Sequence, residues 1–99
     1  MTGPTLTREV LEFLLRAIAS GHVETRTACA VVTPWVEGEA SVSAELEDAA
    51  QSIHGLDQVI GADGCVRHES QGGRGTAALS EAEIAHSVEC QLRRLVAMP

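Results

Sequence analysis

Lysine and tyrosine are missing from this 99-residue chain, and the benzenoid and indole side chains are reduced to Phe13 and Trp35. Any core must therefore be aliphatic, and Leu, Ile, Val and Phe, 24 residues together, suffice to build one. No run of 18 apolar residues occurs, so no segment reads as a membrane span. The opening MTGPTLTREV lacks the basic stretch and apolar run of a secretory signal, which leads us to expect a cytosolic location. Cysteine is sparse as well: Cys29, Cys65 and Cys90 stand far apart with no C-x-x-C pair, the pattern of reduced thiols. Basic residues are only the 7 Arg, against 14 acids, for a net charge of −7. Such a balance opposes binding to a phosphate backbone, so no nucleic-acid partner is expected.

Catalytic motifs are missing too. There is no GxSxG, no phosphate loop and no GxGxxG following a strand. QGGRGT holds glycines and an arginine without the strand-to-helix setting of a phosphate cradle, and it reads as a linker. We expect no enzyme here, and no cofactor.

What is present reads as mostly α, a single domain over residues 1–99. We expect a bundle of about four helices with a short β-hairpin before the last one. The first helix runs from a Thr7 cap to a Gly21 stop, with Glu9 in its first turn. Its apolar residues cover more than half of the helical wheel, wider than one core stripe. On that ground Leu11 and Leu15 are candidates for a homodimer interface through helix 1. Residues 23–37 are ambiguous. Ala28, Val31, Val32, Trp35 and Val36 fit a helical face, whereas the alternation Val23, Thr25, Thr27, Cys29, Val31 fits a strand. The helix is favoured; the alternative is an α+β fold with residues 23–33 as a strand.

A third helix starts at Ser41 or Ser43 and ends at His54, where Gly55 is expected as a left-handed cap. DQVI, GADG and CVRH suggest a hairpin, and residues 69–78 a flexible Gly-rich loop. Ser80 with Glu83 forms a capping box that opens the last helix.

Two constellations stand out. No basic residue lies between Arg26 and Arg67, yet seven acids do, and five of these fall within residues 37–48. We therefore expect Glu37, Glu39, Glu45, Glu47 and Asp48, with neighbouring Trp35, to dock a basic partner protein. The alternative is a zinc site. Cys65-x2-His68 and His86-x3-Cys90 offer four ligands of suitable type, the second pair on one helical face.

The segments ACAVVTPWVEGE and AAQSIHGLD followed by the amphipathic LSEAEIAHSVECQLRRL resemble small bacterial all-helical proteins with a PWV-type turn and a HGLD-type helix end. The resemblance covers about half of the chain, through Pro34, Trp35, Val36, His54, Gly55, Leu56 and Asp57. It implies an immunity-like or accessory role.

Overall fold

A computed structural model of the protein describes residues 6–38 and 43–98. Four α-helices carry the fold among these residues: α1 (Arg8–Ala19), α2 (Thr25–Val36), α3 (Ala44–His54) and α4 (Glu81–Ala97). Between α3 and α4 lies a small antiparallel sheet of β1 (Gln58–Ile60), β2 (Val66–His68) and β3 (Thr76–Ala77). The order is β2-β1-β3, with Val59 opposite Arg67 on one side and Ala77 on the other. No helix among the described residues is long and apolar enough to cross a membrane.

Local chemistry accounts for most boundaries. The Thr7 hydroxyl accepts the Val10 N–H at 3.3 Å, satisfying one of the orphan donors of α1. Ser80 and Glu83 make the reciprocal capping box at the start of α4. Residues 25–36 are a helix, so the strand alternative for residues 23–33 is set aside. The side chains of Ala28, Cys29 and Val32 share one buried face, as a 3.6-residue period requires. Pro34 sits within the last turn of α2, at the cost of the one intrahelical bond that its missing N–H would have made.

α2 packs along α3, and α1 along α4. Leu11, Leu15, Val32, Ile53 and Leu95 are the largest aliphatic side chains fully enclosed between them. Each contributes on the order of 1.5–3 kcal/mol through the area it removes from water. This corrects the interface expected at Leu11 and Leu15. Both are buried in the chain's own core, so neither is available to a second copy. The broad apolar arc of α1 divides differently, with Phe13 left 68% exposed.

Two further expectations are corrected, and both corrections shape the site. Gly55 is right-handed (φ −83°), not left-handed. The chain tightens into a 3-10 turn at Gly55–Asp57 that carries Asp57 into the interior. The segment 69–78 is not an unstructured loop. A 3-10 turn (Glu69–Gln71) ends at Gly72 (φ 87°), and β3 then pairs with β1. Gly75 makes that return possible: a Cβ there would run into the Ile60 carbonyl group.

Candidate metal centre

Three elements converge where α2 passes the end of α3. Cys29 faces inward from α2 and is fully buried. His54 is the last residue of α3, and His68 is the last residue of β2. One ligand atom from each of these residues lies within 4.8 Å of those of the other two. Among the described residues this is the group of three or more His, Cys, Asp or Glu side chains that comes together in this way.

A second layer of hydrogen bonds holds the group. His68 Nδ1–H donates to Asp57 Oδ1 at 2.7 Å, and the Ser70 N–H donates to Asp57 Oδ2 at 2.8 Å. The Ser70 hydroxyl donates to Cys29 Sγ at 3.3 Å, while the thiol itself reaches the His54 carbonyl at 3.2 Å. The two imidazoles lie with centroids 4.3 Å apart, tilted by 44°. His54 Nε2 is shielded from solvent and has no hydrogen-bond partner, the one buried side-chain nitrogen or oxygen among the described residues in that condition. An orphan of this kind carries a desolvation cost that a ligand would relieve.

Electrostatics follow from burial. Desolvation pushes the Cys29 thiol up to about 11, with Asp57 adding to the rise and the Ser70 hydroxyl opposing it. Desolvation also lowers the His54 imidazole, helped by the neighbouring His68. Burial works to raise the Asp57 carboxyl, but bonds from Ser70 and His68 outweigh it and hold the group below the usual aspartate range. A nucleophilic cysteine needs the opposite setting, a lowered thiol near a cation. The His68 Nδ1 that bonds Asp57 is also the ring nitrogen beside Cys29, 3.9 Å from its Sγ.

The set is right for a borderline or soft transition metal: one sulfur and two imidazole nitrogens. Donors around tetrahedral zinc stand roughly 3.4–3.8 Å apart, given bonds of about 2.0–2.3 Å. The group must therefore draw in by about 1 Å to close on an ion. Asp57 spends both carboxylate oxygens on His68 and Ser70, so it orients the site rather than supplying a fourth donor. His68 also lines a shallow hollow of about 310 Å³ with Val66, Arg67, Gln71, Gly72 and Gly73, which gives its ring a route to solvent.

The four ligands expected from sequence are not assembled. Cys65 is exposed in the β1–β2 turn, where its N–H bonds Asp63. His86 and Cys90 do meet, Nε2 to Sγ 3.5 Å, on the outer side of α4. They lie apart from the converging group, because α4 lays its apolar face on α1 and turns this pair outward. His68 alone belongs to both sets. Cys29 and His54 escaped sequence reasoning because they are 25 residues apart on different helices and carry no spacing signal.

The acidic residues are scattered in role. Glu37 and Glu47 are exposed; Asp48 is bound to Arg94 of α4, and Gln71 reaches Glu37. Glu39 and the side chain of Glu45 lie outside the described residues. Trp35 is half-buried and packs against the core. The chain matches no protein-family model, no curated protein and no solved structure.

Proposed function

We propose that the protein is a small metal-binding domain in which Cys29, His54 and His68 hold one zinc-class ion. The observation that carries this reading is the convergence of one donor atom each from Cys29, His54 and His68 within 4.8 Å of one another, on a His54 ring whose buried Nε2 has no hydrogen-bond partner. The surrounding bonds support it. Asp57 holds the His68 ring in place, and Ser70 offers a hydroxyl to the sulfur that would become a thiolate. A divalent ion would favour thiolate at a position where burial otherwise opposes it. Three protein donors leave a fourth coordination position for water or an incoming molecule, the arrangement of sites that do more than staple a fold.

Cobalt(II) titration of the metal-stripped chain is the direct test. One equivalent should bind, with tetrahedral ligand-field bands and a sulfur-to-cobalt charge-transfer band. The charge-transfer band should vanish in Cys29→Ser and persist in Cys65→Ser and Cys90→Ser. Persistence in Cys29→Ser, or binding lost only with Cys65 or Cys90, would overturn the assignment.

A further inference from the structure

We propose, independently of the metal centre, that the cleft between α1, α2 and α4 receives a basic amphipathic peptide segment of a partner protein. The cleft is about 720 Å³, within the range of roughly 300–1,000 Å³ typical of ligand sites. Its floor is apolar. Ile18 from α1, Val23 from the α1–α2 connection and Ile84 from α4 line it, each packed on the core yet only partly covered by it. Its rim is acidic, with Glu24, Glu69 and Glu81. Arg26 is the cation among the lining residues, and its guanidinium is already held by Glu24 at 2.6 Å and Glu69 at 3.6 Å. A surplus of carboxylate charge therefore remains, and Glu81 joins no ion pair among the described residues.

Shape and charge together select the occupant. The cleft is an open trough running between three helices. A chain segment laying one apolar face along it would cover Ile18, Val23 and Ile84 together, while Lys or Arg beside that face meets the rim. An acidic or neutral segment would bury the rim carboxylates without partners, which costs free energy. The whole chain carries −7 and no lysine, so a basic segment is also drawn in and oriented before contact.

The test uses a fluorescein-labelled Leu/Lys peptide in amphipathic helical register and the full-length chain, followed by anisotropy and methyl NMR. The peptide should bind, more weakly as salt is raised, with methyl shifts centred on Ile18, Val23 and Ile84. Ala85→Arg places a long cation in the trough from an exposed position of α4, where arginine is a good helix former, so the fold should survive. It should cut affinity at least tenfold. Glu24→Gln with Glu81→Gln should cut it about fivefold and flatten the salt dependence. The proposal is overturned if Ala85→Arg binds unchanged or if a Leu/Glu peptide binds as well. It is equally overturned if the shifts centre elsewhere, if a small aromatic amine binds more tightly than the peptide, or if nothing binds.

Discussion

His68 and Asp57 are eleven residues apart and joined by a 2.7 Å bond, with the carboxylate side chain fully buried and the imidazole partly exposed. The second Asp57 oxygen takes the Ser70 N–H, so one side chain fixes both the end of β2 and the turn that follows it. Asp57→Asn keeps the shape but removes the charge from both bonds. It should cost about 1.5–3 kcal/mol of stability in urea unfolding. Cobalt or zinc affinity should fall roughly 10- to 100-fold. A variant within about 0.5 kcal/mol of the parent would show that the pair does not hold this region.

The buried face of α1 predicts a contrast. Leu11→Ala and Leu15→Ala should each lose about 2–5 kcal/mol, because both side chains are enclosed and leave cavities. Phe13→Ser removes a larger but exposed group, and should stay within about 0.5 kcal/mol. Chemical denaturation of the three variants decides the point. An insensitive Leu11 would contradict the packing of α1 in the core.

Gly75 should tolerate no side chain. Its φ of 154° and its approach to the Ile60 carbonyl mean that Gly75→Ala must displace backbone. The expected cost is about 1–3 kcal/mol, with faster amide exchange at Ala78, whose N–H bonds the Gln58 carbonyl. Gly64→Ala is the control. It also has positive φ but faces open space, so only the backbone strain of about 1–2 kcal/mol applies.

Thiol accessibility should follow burial. N-ethylmaleimide at neutral pH should label exposed Cys65 first and half-buried Cys90 next, leaving buried Cys29 unmodified until the chain unfolds. Peptide mass mapping over time reads the order. Early labelling of Cys29 would mean that α2 does not face the core as described.

The hairpin tip carries a pH signature. The Cys65 N–H and the Arg67 guanidinium hold the Asp63 carboxyl below its ordinary value of 3.8. Because the folded value is the lower one, the stabilisation is present above the ordinary aspartate range and is lost as pH falls through the depressed value. Carboxyl NMR titration should find Asp63 below its value in a GADGCV peptide, with Arg67→Gln moving it back up. An unshifted Asp63 would break the assignment.

Much of this was legible along the chain. Thr7, Ser80 and Glu83 announce helix starts through chemistry confined to four residues, and DQVI–GADG–CVRH announces a hairpin whose partners are near neighbours. The period of Ala28, Val32 and Trp35 favoured the helix at α2 for the same local reason. Gly55 misled because a helix can end in a left-handed residue or tighten into a 3-10 turn. The packing around Asp57, not the glycine, selects between them. The zinc site expected from sequence fell on Cys65/His68 and His86/Cys90 because their spacings are recognisable, while the three residues that converge, Cys29, His54 and His68, have none. Composition and local pattern therefore dictated an aliphatic, acidic, mostly helical chain with a hairpin before its last helix. The meeting of a cysteine, two histidines and an aspartate came from packing α2 across the end of α3. Contacts between residues 11 to 41 positions apart leave no periodic trace for the sequence to carry.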